Sequence, residues 1–398
     1  MSPTETSTAA LAINGGTPAS PSPIPFMSVG LTEQDIAAAN EVLRSGMLRA
    51  ASKCAELETR FAELSGAKHG LTCSNGTCAL ELAYHALLEP GDEVICPAWT
   101  YIATASMLVA RGCEVIFCDC LPDSFQVDPE DLERRITPKT KAIAVTHLYG
   151  IPVDIDAIQA IADKHGLKVI YDAAQAHLAE YKGKGVGAYG DAVTYSFYAT
   201  KNLGTGEGGM VLTNDDTTAE DMTLLRSHGE PEKYLHTRIG FNYRMNDITG
   251  AIGLSKLSEL PDQTDRRRAV AERYHGIVDS IAGLDRPHPT DGSKPAWHLY
   301  TVRVTDALSC SRDEFSAALK AERVPSAVHY PKTLTEQPAF ADTVARNAER
   351  YGAESAHPAV SRRLANEVLS IPMHHDLGDE QIDAVGEALD KVAAAFRS

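Results

Sequence analysis

Between residues 70 and 212 of this chain, short apolar runs alternate with stretches of helical periodicity. Strands read at 70–73, 93–96, 114–117, 141–146, 168–171, 193–197 and 209–212. Helices read between them at 77–88, 102–110, 129–136 and 155–165. Strands that are apolar throughout must be buried on both faces. Regular interleaving with helices then predicts an α/β domain with a mostly parallel sheet covered on both sides. A total of 398 residues leaves room for a second, smaller unit. The reading places a flexible lead-in over 1–30, rich in Ser, Thr, Ala, Pro and Gly. A large domain follows over 31–255, and a smaller α+β C-terminal domain over 256–398. At the junction of the two, a helix reads to Leu260 and a second, 262–281, follows Pro261. Beyond them come a strand at 298–304, a helix at 312–323, a short strand at 326–330 and a helix at 379–396.

Composition narrows the class of partner. A formal net charge of −17 argues against nucleic acid or an anionic membrane as the main partner. No apolar run is long enough to span a bilayer, and the first residues lack a signal peptide's pattern. The eight cysteines sit mostly in apolar surroundings, and Cys118 and Cys120 lack zinc-ribbon or redox spacing. Buried reduced thiols and a cytoplasmic location follow as expectations. No H-E-x-x-H or close Cys/His set occurs, so no metal site is expected.

Four strand ends carry residues with chemistry. After the run 193–197 comes Lys201, with Ser196 upstream and four glycines, Gly204, Gly206, Gly208 and Gly209, downstream. Glycines let backbone crowd a ligand, and a desolvated lysine loses its proton and becomes a nucleophile toward aldehydes. Pyridoxal phosphate is the obvious aldehyde. A P-loop is excluded, because its lysine follows its glycines. Asn75, Gly76 and Thr77 stand where a strand meets a helix N-terminus, a site for phosphate or simply a helix cap. Asp172 ends another strand, placed either to pair with a pyridine nitrogen or to cap the next segment. Trp99 follows a third, either stacking on a planar cofactor or packing in the core. His147 and His177 read more readily as structural histidines than as acid–base groups.

The motifs S-N-G-T, P-A-W-T-Y, D-A-A-Q-A-H, S-F-Y-A-T-K-N-L-G-T-G-E-G-G and G-F-N-Y-R-M-N-D, in this order, make the chain similar to the DegT/DnrJ/EryC1/StrS family of pyridoxal-phosphate aminotransferases. The resemblance runs from about Gly30 to the C-terminus. It implies a fold-type I aminotransferase with a seven-stranded type of sheet. The implied reaction moves an amino group from L-glutamate or L-glutamine to a keto sugar or ketocyclitol. It further implies that Lys201 forms the Schiff base and shuttles protons, that Asp172 meets the ring nitrogen, that Gln175 lies against the ring and that Trp99 stacks. Gly76, Thr77 and Ser196 hold the phosphate. Asn242 reaches the cofactor of a neighbouring subunit, implying a homodimer with shared sites, while Tyr243 and Arg244 support that interface. His329, with Tyr330, falls on the substrate side. Leu178 stands where the family has glycine, Lys332 to Thr335 replace a second histidine, and Arg49 to Lys53 interrupt the usual early segment. These departures bear on the substrate. Two other implied readings are a lysine-retaining dehydratase acting on an amino-shikimate type of substrate and a catalytically silent regulatory homologue.

Overall fold

The structure is a computed structural model that describes residues 10–353 and 356–397. Helices α1 (Glu33–Ser45) and α2 (Ser52–Ser65) precede the alternating region. That region runs β1 (His69–Cys73), α3 (Gly76–Leu87), β2 (Glu93–Pro97), α4 (Ile102–Arg111), β3 (Glu114–Cys118), α5 (Pro129–Arg134), β4 (Thr140–Thr146), α6 (Ile155–His165) and β5 (Lys168–Asp172). A small hairpin, β6 (Glu180–Tyr181) and β7 (Lys184–Gly185), leads to β8 (Ala192–Ser196) and β9 (Gly209–Thr213). These build a seven-stranded sheet in the order β1-β9-β8-β5-β4-β2-β3. Only β9 runs against its neighbours.

Period-two alternation splits the strands between two cores. Ile95, Ile143, Val169, Tyr171 and Val193 join α2 and α6 on one face. Val94, Ala142, Ala144, Ile170 and Val211 join α3, α4 and α7 (Asp216–Arg226) on the other. Burial on both faces explains why the strands read as unbroken apolar runs.

The remaining elements are α8 (Asp247–Asp279), β10 (Leu284–Asp285), β11 (Ser293–Lys294), β12 (Tyr300–Val304), α9 (Arg312–Ala321), α10 (Ala341–Tyr351), α11 (Ala359–Glu367), β13 (Val368–Ile371) and α12 (Asp379–Phe396). Strands β10, β12 and β13 form an antiparallel sheet, and β11 pairs with the β6–β7 hairpin. Three expectations change here. Helix α8 continues through Pro261 instead of breaking there, because buried Leu257, Leu260, Thr264 and Arg267 carry one inward stripe across the proline. The boundary expected at 255 therefore falls inside a helix that both units share. The strand expected at 326–330 reduces to one bridge, Ala327 to Ser370.

The lead-in is the third. Its residues 1–9 lie outside the described residues, but from Leu11 onward it is packed, not free. Leu11 and Ile24 are buried in the core of the C-terminal unit. The fully buried Glu322 carboxylate accepts from the N–H groups of Ala12 and Ala19, each at 2.8 Å. Lys391 Nζ closes the arrangement on Glu322 at 2.8 Å and on the Thr17 carbonyl at 2.7 Å.

Candidate active site

The C-terminal ends of β1, β2, β4, β5 and β8 share one rim, and β9 begins there. Gly209 pairs with both Cys73 and Ser196, so the loop carrying Lys201 leaves and re-enters the sheet between β8 and β1. Asp172 pairs with Thr146 on one side and Thr194 on the other.

Asp172 is buried. One carboxylate oxygen accepts from Thr104 Oγ1 at 2.7 Å and the other from the Ala174 N–H at 3.0 Å. Burial pushes its pKa up; these bonds and the Lys201 charge hold it back. Lys201 is pulled down to about 8 from 10.5 by burial, and the Asp172 charge opposes the fall only in part. An amine with this shift presents a nucleophile near neutral pH. Thr104 belongs to a cluster of buried hydroxyls with Thr100 and Thr146, the last two 2.7 Å apart. Sequence reasoning missed this support. Its signal was a polar residue ending the apolar β4 and two threonines one helical turn apart.

Asn75 is the N-cap of α3, its Oδ1 accepting from the Cys78 N–H at 2.9 Å. The Gly76 and Thr77 N–H groups ahead of it have no intrahelical carbonyl. A Cβ on Gly76 would lie 2.7 Å from Ser196 Cβ, so the helix N-terminus and the Ser196 hydroxyl converge only because residue 76 is glycine. The Ser74 N–H donates to the Tyr243 carbonyl at 2.8 Å, and Tyr243 Oη donates to Glu81 at 2.7 Å, bracing this corner.

Trp99 differs from its expected role as a stacking ring. It is 2% exposed, its indole N–H donates to the Tyr330 carbonyl at 3.1 Å, and Phe125 and Tyr149 meet it nearly edge-on. The exposed ring at this turn is Tyr101, 54% exposed and 6.0 Å from the Tyr330 ring. Gln175 accepts from the Tyr149 N–H at 2.6 Å and donates to Tyr330 Oη at 3.0 Å. His329 meets Ser370 Oγ at 3.0 Å and stacks on Phe26; burial, then the Lys201 charge, pulls its pKa to about 4. Gln175, Tyr330 and His329 thus lie in one hydrogen-bonded and stacked neighbourhood on the small-unit side.

His177 and His147 are wholly buried, and burial lowers each to about 3. His177 Nε2–H donates to the Ser196 carbonyl at 2.9 Å, tying the end of β8 to the turn after β5. Asn242 is exposed and bridges to Ser227. Asn202, next to Lys201, donates to the Ala296 carbonyl at 3.1 Å and meets His298 at 3.2 Å.

A doubly covered sheet whose rim holds a low-pKa lysine, a buried carboxylate and an open helix N-terminus defines a class of enzyme that forms an imine with a phosphorylated aldehyde. The chain belongs to the DegT/DnrJ/EryC1/StrS aminotransferase family, whose model matches residues 30–390. It is 39% identical to the UDP-2-acetamido-2-deoxy-3-oxo-D-glucuronate aminotransferase of Pseudomonas aeruginosa, covering 87% of this chain and 93% of that one. It is 40% identical to a pleiotropic regulatory protein of Geobacillus stearothermophilus, covering 90% and 93%. Streptomyces venezuelae DesV, solved in complex with a ketimine intermediate, superposes with a TM-score of 0.87 at 34% identity, covering 94% of this chain and 99% of that one.

Proposed function

We propose that this protein is a pyridoxal-phosphate-dependent aminotransferase. It moves the amino group of L-glutamate or L-glutamine onto a keto sugar, nucleotide-linked or free, or onto a ketocyclitol. The observation that carries this reading is the Lys201 amine, brought to about pH 8 by burial beside the buried Asp172 carboxylate. The residues fit the cofactor on their own chemistry. The N–H groups of Gly76 and Thr77, with the Ser196 hydroxyl, suit a phosphate. Asp172 suits a protonated ring nitrogen, Gln175 the ring edge, and Tyr101 takes the stacking role first expected of Trp99. When bound, the cofactor supplies an aldehyde that takes up the amine and a cationic ring that withdraws electrons from the adjacent carbon.

The chain's own residues do the rest. Lys201 Nζ takes the α-proton of the amino donor and, in the second half of the cycle, gives a proton to the acceptor carbon that gains the amine, work for which a pKa near neutrality is suited. Asp172, held anionic by Thr104 and the Ala174 N–H, keeps the ring nitrogen protonated. His329 and Tyr330 face the substrate. Asn242 completes the phosphate site of a second subunit, and a dimer would cover the exposed Tyr101, Tyr198 and Ile239. All eight cysteines are free thiols, which supports a cytoplasmic setting. No helix among the described residues is long and apolar enough to cross a membrane.

Purified protein given pyridoxal phosphate should turn yellow, and borohydride should fix the label on Lys201 alone by peptide mapping. Glutamate plus UDP-linked keto sugars should then be turned over by the wild type and not by Lys201→Ala. A colourless protein, or label elsewhere, overturns the assignment. The regulatory relative supports a second reading, a cofactor-binding regulator. Lys201 labelling without turnover across donors and acceptors would select it.

A further inference from the structure

Just before β12, residues 295–298 of the C-terminal unit thread into the rim between the Gln175 turn and the Lys201 loop. The Ala296 N–H donates to the Gly150 carbonyl at 2.8 Å, and the His298 N–H to the Tyr149 carbonyl at 2.9 Å. Gly150 has φ +88°, and a Cβ there would lie 2.5 Å from the Gln175 carbonyl oxygen and 3.0 Å from His298 N. Glycine therefore lets three stretches of backbone meet at this point. On the α8 side, Arg268 Nε donates to the Pro295 carbonyl at 3.0 Å and Arg267 Nη1 to the Trp297 carbonyl at 3.3 Å.

His298 is thereby fixed, 4% exposed, against the residue that follows Lys201. The Asn202 amide decides where the ring carries its proton. Its Nδ2 donates to the Ala296 carbonyl at 3.1 Å, so its Oδ1, 3.2 Å from His298 Nδ1, can only accept. His298 is thus the Nδ1–H tautomer, and its Nε2 keeps a bare lone pair. Burial, then the Lys201 charge, holds the ring neutral; Arg267, His177 and His329 are the other titratable groups acting on it. His147 Nε2 and His177 Nδ1 are also unpartnered, but both are sealed from solvent. His298 Nε2 differs: it has no hydrogen-bond partner among the described residues and is not sealed, so its lone pair opens into the site. Lys201 Nζ is unpartnered and unsealed in the same way. One rim therefore holds a rigid acceptor and, on a flexible four-carbon stem, a donor that matches it.

We infer that His298, held by Asn202, is a positioning residue for Lys201: its Nε2 accepts an N–H of the free amine and turns the amine's lone pair toward the donor's α-carbon. Alignment of this kind governs proton transfer, which remains the work of Lys201. The inference rests on reading Lys201 as the lysine of an aminotransferase. Nuclear magnetic resonance of the full-length chain, with ring-15N histidine and no added cofactor, tests it without a turnover assay. Loss of signal in His298→Gln assigns the ring. Nδ1 should be protonated throughout, and Nε2 alone should shift as Lys201 gains its proton around pH 8. The shift should vanish in Lys201→Met. In the holoenzyme, His298→Phe should lower kcat about 10- to 100-fold and enlarge the isotope effect of α-deuterated glutamate, with its KM unchanged. His298→Gln keeps an acceptor near the Nε2 position and should recover most of the rate. An Nε2 signal indifferent to Lys201, or both ring nitrogens shifting together as under a distant charge, overturns the contact. A His298→Phe enzyme with the wild-type isotope effect, or one that Gln does not improve upon, overturns the positioning role. An Nε2 shift that follows Lys201 in a chain that transaminates nothing overturns the enzymatic reading and leaves the contact standing.

Discussion

Lys201 and Asp172 set each other's protonation. With a pKa of about 8, Lys201 is neutral in about one molecule in ten at pH 7, against well under one in a thousand for an ordinary lysine. Its reaction with an aldehyde probe in cofactor-free protein should therefore rise with pH and level off just above 8. Asp172 is the group that holds this pKa up, so Asp172→Asn should move the midpoint below 8. A midpoint near 10, or one indifferent to position 172, would sink the pairing. Both residues were legible because they stand at strand ends in motifs with few alternatives. Trp99 was not. Past the end of β2 two rings, Trp99 and Tyr101, stand two residues apart, and the sequence reading considered only Trp99. The larger, less polar ring went inside, where an edge-on pocket of Phe125 and Tyr149 and one carbonyl satisfied it.

At the scale of elements, two carboxylates hold distant pieces of chain together. The N-cap of α2 is Ala51, which has no capping side chain. Asp247, the first residue of α8, supplies the cap instead. It accepts from the N–H groups of Ala51 at 2.7 Å, Cys54 at 3.0 Å and Lys53 at 3.2 Å. Burial raises its pKa, and these bonds outweigh burial and bring it below the usual range. Asp247→Ala strands those donors and should cost about 2–3 kcal/mol in urea unfolding; a loss under about 0.5 kcal/mol would show that water caps α2 instead. Glu322 plays the same part for the early segment. Glu322→Ala should open the chain around residues 12–24 to limited proteolysis while the rest stays resistant, and an unchanged digest would mean that Leu11 and Ile24 hold the segment alone. Such ties across hundreds of residues cannot be read from local pattern. That is why the Arg49 to Lys53 departure was read as bearing on the substrate and the lead-in was read as flexible. The sheet, by contrast, was legible nearly strand for strand, since double burial writes each strand as an apolar run. Helices α10 and α11 were not anticipated. Pro261 misled in the opposite direction: a proline costs a helix one hydrogen bond, and packing of the stripe on either side outweighs that loss.

For the whole molecule, acid sets two effects against each other. Lowering the pH toward the pI of about 5.3 relieves the self-repulsion of a −17 chain, which favours the folded state. The buried histidines act the other way. His147 and His177 are wholly buried and held near pKa 3 by burial, so the unfolded chain takes up a proton at each below about 6.5 that the native state refuses. Stability contributed by their neutral forms is present above 6.5 and is lost as the pH falls toward 3. Each costs about 1.4 kcal/mol per pH unit in that window. Between pH 6.5 and 5 the pair alone removes about 4 kcal/mol, a large share of an ordinary domain's margin. His298, pulled well below its usual value by burial and then by the Lys201 charge, adds to the same slope. Surface repulsion is screened over about 8 Å at physiological salt, whereas buried groups are screened much less, so the histidines should win. Urea unfolding at pH 7, 6 and 5 in about 0.15 M salt should show stability falling steadily. The His147→Asn, His177→Asn double variant, though less stable at pH 7, should show a shallower fall. A wild type whose stability falls no more steeply between pH 7 and 5 than that of the double variant would mean that these two rings do not set the pH dependence.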